Sequence, residues 1–388
     1  VALAVLSLCS GVGGLDLGVR AVLPDARVVA YCERDAFAAA VLLARMQDES
    51  LDPAPVWCGD LERLPVDELA GRVDLVTAGF PCQPVSVAGS RRGTDDERWI
   101  WPAVARVVRE VRPRFVFLEN VPGLLHAGPD GVAPVEHVLG DLAGCGYDAR
   151  WTLLRASAAG APHRRARFFL LAWRVSDAQR DPLRAERGQR AARSAEPRDA
   201  EPRDMGAGAL DSGSAADLSL WRSPTSRDWK GESARSWQDR ERGEGDATPT
   251  LADQVAQLWP TPTAGDGRAA GSRNAPGSAA HAGVSLSDAV LTGSSTGRAA
   301  RAPRLSPAFV EALMGLASGW TDPCGPIAPW AGWPPGPTDS EGWERYLERG
   351  GPAPVTTEWV PDRSARLAAL GNAVVWQQAA IALEEMIG

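Results

Sequence analysis

Lysine is almost missing from this chain of 388 residues: Lys230 stands alone against 40 arginines. Arginine suits phosphate and base-edge recognition, but a GC-rich coding sequence accounts for the bias equally well. The net charge of −8 excludes a globally basic nucleic-acid binder, so any such contact has to come from local patches. Cysteine is sparse and scattered, at positions 9, 32, 58, 82, 145 and 324. With no CxxC pair and no Cys/His cluster, neither a zinc site nor a disulfide framework is indicated. Reduced thiols in a cytoplasm are the expectation. No charged-then-apolar export signal opens the sequence, and no apolar run approaches the ~18 residues of a membrane helix. A hydrophobic content of 44% is enough for a real core, and the length makes two domains the natural expectation.

What is present is organised around Gly79-Phe80-Pro81-Cys82-Gln83-Pro84, which follows the apolar run Val73–Ala78. That run has the length and β-branched content of a buried strand. A cysteine at the exit of such a strand stands where α/β folds bind ligands, and prolines on both sides restrict its direction. Taken alone, a free cysteine is as readily a small buried hydrophobe.

Upstream, the apolar run Leu3–Leu8 leads into Cys9-Ser10-Gly11-Val12-Gly13-Gly14 and a helical pattern from Leu15 to Val22. Strand, glycine turn and helix form a context in which backbone amides cradle a cofactor. Asp16 occupies the position of the third glycine of a dinucleotide fingerprint, which counts against NAD and FAD. A second strand, Arg27–Cys32, ends in Glu33, 22 residues after Gly11, where an acid holds a ribose diol in nucleotide-binding βαβ units. A helix from Asp35 to Met46 and a short strand, Val56–Gly59, lead to Asp60, a carboxylate placed to accept a bond from an adenine amino group. Each acid alone is more often a cap or a solvated charge. Together, at successive strand ends, they point to a nucleoside pocket.

Beyond Cys82, Val85–Glu97 reads as a polar, mobile loop, followed by a helix (Trp99–Val111) and a strand (Phe115–Leu118) that ends in Glu119. A carboxylate directly after an apolar run is costly unless partnered or functional. A helix (Val132–Ala143), a strand (Ala149–Leu154), and His163-Arg164-Arg165-Ala166-Arg167 leading into Phe168–Trp173 come next. Alternation puts Arg165 and Arg167 on one face of that strand. Residues 176–216 have the composition of a poorly ordered linker. Past them, Trp221-Arg-Ser-Pro-Thr-Ser-Arg-Asp228 recurs 38 residues later as Trp259-Pro-Thr-Pro-Thr-Ala-Gly-Asp266. This reads as a duplicated, loop-rich recognition element whose tips (Ser226, Arg227, Asp228; Ala264, Gly265, Asp266) suit base edges in a groove, while the tryptophans pack a small core. The Pro329–Pro337 loop is a second candidate reader. The sequence closes with Gly371-Asn372-Ala373-Val374 and an apolar helix, Val375–Ile387.

In this order the pieces resemble the DNA (cytosine-5) methyltransferases, and the paired Trp/Pro/Thr/Asp repeats are similar to the recognition regions of phage-associated and actinobacterial members. The likeness covers about residues 1–174, Leu305–Thr321 and the C-terminal tail. His163 for glutamine and Val85 for phenylalanine are departures beside the reacting groups. The resemblance implies a doubly wound, Rossmann-like α/β domain (1–174 plus 360–388) that binds S-adenosylmethionine, and a smaller, loop-rich target recognition domain (175–359). It implies Cys82, Glu119, Arg165 and Arg167 as catalytic residues. It places cofactor contacts at Cys9, Ser10, Gly11, Gly13, Gly14, Glu33, Arg34, Asp60, Leu61, Gly79, Pro81, Asn372, Ala373 and Val374, and requires no metal. The expected reaction is methyl transfer to C5 of a cytosine flipped out of double-stranded DNA, through an adduct of Cys82 at C6. A monomer, with a cognate restriction endonuclease as possible partner and no membrane, completes the expectation. The rivals are an RNA (tRNA) cytosine-5 methyltransferase of the same fold and a catalytically silent DNA-binding relative.

Overall fold

The structure, a computed structural model, describes residues 3–81, 99–127, 131–176, 259–267, 286, 290 and 304–387. Cys82 and the loop after it, nearly all of the 176–216 linker and the first repeat copy lie outside these residues. Seven strands form the central sheet: β1 (Ala4–Leu8), β2 (Arg27–Glu33), β3 (Val56–Cys58), β4 (Leu75–Gly79), β5 (Phe115–Asn120), β6 (Tyr147–Arg155) and β7 (Ala166–Arg174). Their order is β3-β2-β1-β4-β5-β7-β6. Strands β1 to β5 pair in parallel, and β7 runs antiparallel between β5 and β6. The order reverses between β1 and β4, the switch point at which open α/β sheets leave a crevice beyond their carboxyl ends.

Period-two alternation sorts the central strands onto two cores. Phe115 and Phe117 of β5 join Val5 and Leu75 on one face, while Val116 and Leu118 join Leu6, Leu8 and Val76 on the other. Both faces are covered, which explains why these strands read as unbroken apolar runs. The first face carries α1 (Gly14–Val22), α2 (Ala36–Gln47) and residues of the C-terminal third; the second carries α3 (Trp101–Val111) and α4 (Pro134–Gly144). Each fully buried Phe, Leu or Val contributes roughly 1.5–3 kcal/mol by leaving water.

After residue 303 the chain forms β8 (Arg304–Leu305), α5 (Pro307–Leu313), α6 (Ser340–Glu348), β9 (Val355–Thr356), α7 (Arg363–Asn372) and α8 (Trp376–Ile387). Helix α8 lies against α1, where Gly18 comes into close contact with Ala379. A buried ionic knot fixes the turn after α5. Glu311 accepts from Gly319 N (2.7 Å) and Thr321 N (2.9 Å) and pairs with Arg366 (2.9 Å), which also reaches Asp322 (3.1 Å). Arg45 of α2 donates to the carbonyls of Gly319 (2.8 Å) and Trp320 (2.6 Å) from the other side. Pairing the charge and hydrogen-bonding both Glu311 oxygens in this way is what makes charges tolerable in a dry interior.

Candidate active site

The glycine turn after β1 takes three left-handed residues, Cys9 (φ 50°), Gly11 (φ 54°) and Gly13 (φ 83°). Gly13 caps α1, and a Cβ built on Gly11 would meet nothing within 4 Å. The turn is pinned from below. Ser10 N and Oγ donate to Cys32 O (3.2 and 3.3 Å), and Gly11 N donates to Glu33 Oε2 (2.7 Å). Glu33 Oε1 accepts from Asp35 N (2.7 Å), so the carboxylate that ends β2 ties two backbone segments together. Burial and the neighbouring Glu33 push the Cys9 thiol far up, leaving it neutral.

Asp16 explains the broken fingerprint. Its buried carboxyl accepts from Ser7 Oγ (2.8 Å) and Thr77 Oγ1 (3.1 Å), joining β1 to β4 beneath the turn. Burial pushes it up to about 6, against the two hydroxyls that favour the anion. At the end of β3, Asp60 is exposed and its side chain caps nothing. The turn that follows is held by Arg106, which donates to the carbonyls of Leu61 (3.0 Å) and Leu64 (3.2 Å). Leu61 is buried, while Arg34 and Asn372 are exposed.

Strand β5 continues two residues past its apolar run, because Glu119 and Asn120 pair with Phe169 and Phe168 of β7. Glu119 is buried beside Gly79, its register partner on β4. Arg167 stands two residues along β7 from Phe169, on the face Glu119 occupies, and its Nε lies 2.8 Å from Glu119 Oε1. Burial raises the Glu119 carboxyl above its usual range, opposed by the charges of Arg167 and Arg165. Asn120 Nδ2 donates to Phe80 O (3.0 Å), and its Oδ1 accepts from Val121 N (2.8 Å). The Phe80 ring packs against Trp99 and Trp101, at 6.1 and 5.6 Å between centroids. Both ends of segment 82–98 are therefore anchored at one place, with Pro81 exposed at its start.

Arg165 departs from the expected strand geometry. It precedes β7 with φ 20°, so alternation does not govern it. Its backbone N donates to Thr261 Oγ1 (3.2 Å), Nη1 to Pro262 O (3.0 Å), and Nη2 to Gly371 O (3.0 Å) and Ala373 O. Nε is buried with no partner among the described residues. Gln378 Nε2 donates to the Arg165 carbonyl (3.0 Å) and to Leu154 O (2.8 Å). His163 is fully buried, its Nε2 2.7 Å from Leu313 O, and burial pushes it down to about 3. It is a neutral imidazole tethering the β6–β7 connection to α5.

The second repeat copy requires a correction. Its tip was expected to reach base edges, yet Asp266 is buried, and its Oδ2 accepts from Thr263 N and Oγ1 (2.8 Å each). The carboxylate closes its own turn instead of presenting itself to solvent. The packing role expected of the tryptophans fits Trp259, which is buried edge-on to Phe309 (5.3 Å) and Trp343 (6.1 Å).

The structure thus gathers Cys9–Gly14, Glu33, Gly79, Glu119, Arg165, Arg167, Ala373 and Val374 at the carboxyl edge of the sheet; a Cβ on Gly14 would lie 2.4 Å from Val374 O, and one on Gly79 3.8 Å from the Val374 side chain. Asp60 and Leu61 sit beyond β3, at the outer end of that edge. Sequence reasoning missed the roles of Thr261, Pro262 and Trp320. Trp320 Nε1 donates to Val12 O (2.9 Å) inside the glycine turn. The repeated Trp-x-x-Pro-Thr-x-x-Asp pattern was a visible signal for Pro262, while Thr261 falls on one of its unspecified positions.

The family model described as C-5 cytosine-specific DNA methylase matches residues 3–256, more than half of the chain. The Type II methyltransferase M.CviJI of Paramecium bursaria Chlorella virus IL3A is 32% identical over 170 residues, 44% of this chain and 42% of that protein. The Type II methyltransferase M.NaeI of Lentzea aerocolonigenes is 36% identical over 174 residues, 44% of this chain and 40% of that protein. The chain spans about two fifths of the length of these relatives. Among solved structures, the Entamoeba histolytica methyltransferase EhMeth aligns over 100% of this chain and 98% of its own, at 12% identity and a TM-score of 0.49. The chain belongs to the C-5 cytosine-specific DNA methylase family.

Proposed function

We propose that this protein transfers a methyl group from S-adenosylmethionine to C5 of cytosine in double-stranded DNA. The observation that carries the reading is Glu119: a buried carboxyl raised above its usual range, held by Arg167 at 2.8 Å, level with the end of the strand that leads to Cys82. Perturbed acids at the mouth of a sheet are the usual mark of proton chemistry.

The residues at the switch point suit the cofactor. The space over Gly11 is open, Glu33 ends β2 beside the glycine turn, and the Asp60 carboxylate is uncommitted at the end of β3. Glu33 would take the ribose hydroxyls, Asp60 the adenine amino group, and Gly79, Ala373 and Val374 the wall nearest the reacting methyl. The chemistry such a cofactor supplies when bound is an electrophilic sulfonium methyl.

The chain's own residues then divide the work on the base. Cys82, as thiolate, adds to C6 and makes C5 nucleophilic. Glu119 bonds N3 and the exocyclic amino group, giving a proton to N3 as negative charge develops. Arg165 would hold O2, and its buried, unpartnered Nε–H is a donor of the kind a base carbonyl takes. Arg167 keeps the Glu119 carboxyl in place. Loss of H5 and departure of the thiolate complete the turnover. Because a stacked base cannot reach Cys82, the nucleotide has to be extruded. In this reading residues 1–174 and 360–388 carry the chemistry, and 175–359 choose the target. A monomer and a cognate restriction endonuclease remain part of it. Among the described residues no helix is long and apolar enough to cross a membrane.

The test is covalent. Wild type incubated with duplex DNA carrying 5-fluorocytosine and the cofactor should give a denaturation-resistant adduct, because fluorine blocks the last elimination. Cys82→Ser should give none while binding cofactor normally. Adduct formation with tRNA but not DNA would favour an RNA substrate, and adduct formation by Cys82→Ser would overturn the assignment of the nucleophile.

A further inference from the structure

The loop Thr261–Asp266 comes from the region read as target recognition, yet its contacts are with the catalytic arginine. Three observations converge on Arg165. Its backbone, at φ 20°, sits outside the comfortable region for a non-glycine residue, and the Thr261 hydroxyl accepts from its N–H at 3.2 Å. One terminal nitrogen of the guanidinium donates to Pro262 O at 3.0 Å. The other donates to Gly371 O and Ala373 O, carbonyls at the end of α7, where the helix dipole is negative and favours a cation. The guanidinium is thus clamped between a loop and a helix end, and its Nε has no partner among the described residues.

The loop itself is built to hold still. Trp259 anchors its start: its N donates to Pro162 O (2.8 Å) and its indole nitrogen to Pro335 O (2.8 Å). Asp266 closes the turn onto Thr263. The turn presses so closely on α7 that a Cβ on Gly371 would lie 1.9 Å from Ala264 N and 2.1 Å from Thr263 C. Any side chain there would drive loop and helix apart, which accounts for the glycine in Gly371-Asn372-Ala373-Val374.

We propose that Thr261–Asp266 is a positioning element for Arg165 and not a reader of target sequence. This rests on the role given to Arg165 above. Disturbing the loop slows methyl transfer at every site alike and leaves the recognised sequence unchanged, because the loop acts on the group that holds the base already chosen.

Thr261→Val keeps the β-branched shape and removes the acceptor. Thr261→Ser keeps the acceptor and removes only a methyl. Single-turnover methylation, cofactor affinity by calorimetry, thermal midpoint and the methylated motif in plasmid DNA are measured for both, alone and combined with Arg165→Lys. The expected result is a roughly tenfold to hundredfold lower rate for Thr261→Val, the usual cost of a small misplacement at a reacting centre, with cofactor affinity and motif unchanged. Thr261→Ser restores the rate. In the Arg165→Lys background, Thr261→Val adds no further loss, since the loop acts on the rate only by placing the guanidinium that lysine lacks. Gly371→Ala, which displaces the loop from the other side, should reproduce the slow phenotype should Thr261→Val fold poorly. Equal losses from Thr261→Val in both backgrounds, a changed motif, or an unchanged rate would each overturn the proposal. An Arg165→Lys rate equal to wild type would overturn it together with the role assigned to Arg165.

Discussion

Replacing His163 by glutamine should make the protein more resistant to acid while leaving it nearly unchanged at neutral pH. The imidazole is fully buried and pushed down to about 3 by burial, whereas an unfolded histidine titrates near 6.5. Above pH 6.5 both states are neutral and the native bond to Leu313 O is made in full. As pH falls below 6.5 the unfolded chain takes up a proton that the folded chain refuses, so stability drops continuously until about pH 3. Linkage puts the loss at about 2 kcal/mol at pH 5, with a ceiling near 5 kcal/mol below pH 3. Glutamine has an amide N–H to offer Leu313 O and no titrating proton. Urea unfolding of both proteins at pH 7.5 and pH 5 measures the difference. The two should agree within roughly 0.5 kcal/mol at pH 7.5, and the variant should lead by about 2 kcal/mol at pH 5. Parallel losses in the two proteins would mean that His163 is not held neutral, and the account of its burial would fail.

Asp16 should act in the opposite sense. Its folded value of about 6 lies above the ordinary carboxyl range, so its contribution is present in full below pH 4 and is lost as pH rises through 6. The stability of Asp16→Asn relative to wild type should therefore improve by up to about 3 kcal/mol between pH 4 and pH 8, read by chemical denaturation; a flat difference would refute the shift. Glu33→Ala should weaken S-adenosylmethionine by roughly 1–3 kcal/mol and more than Asp60→Ala, since Glu33 also holds the Gly11 amide. Calorimetry showing the reverse order would mean the glycine turn does not need that bond.

The sheet was legible because its central strands are buried on both faces and announce themselves as short apolar runs between glycines and acids. The positions of Glu33 and Asp60 followed from counting strand ends, which needs no tertiary information. Glu119 was legible as an anomaly, a carboxylate ending an apolar run, but its partner was not. Which strand lies beside β5 depends on β7 inserting antiparallel between β5 and β6, and nothing local encodes that insertion. The same gap shortened the expected β5: Glu119 and Asn120 look like the end of a strand until β7 supplies pairing and charge. Arg165 was assigned to a strand face because alternation assumes extended backbone, and a single residue at φ 20° breaks that assumption without a glycine to mark it. The repeat misled for a related reason, since a proline-fixed loop with a polar tip looks alike whether the tip faces a groove or closes on itself.

Two contacts bear on how the proposed enzyme divides its labour. Arg165 is gripped by Thr261 and Pro262, and Val12 of the glycine turn accepts from Trp320. Both grips reach back from beyond residue 258 into the first 174 residues, and both land on backbone or side chains that the proposed chemistry uses. Trp320 is in turn locked by the Glu311–Arg366 knot and by Arg45 of α2. A chain that kept residues 3–174 but lost residues 259–322 would therefore lose the contact on its glycine turn and the clamp on Arg165. If this region chooses the target, as proposed above, a change of target has to leave these two grips intact. On the proposed division of labour, residues outside Trp259–Asp266 and the turn after α5 are the ones free to change with the target, and the exposed ring of Trp330, set edge-on to Trp333 at 5.3 Å in the Pro329–Pro337 loop, lies among them.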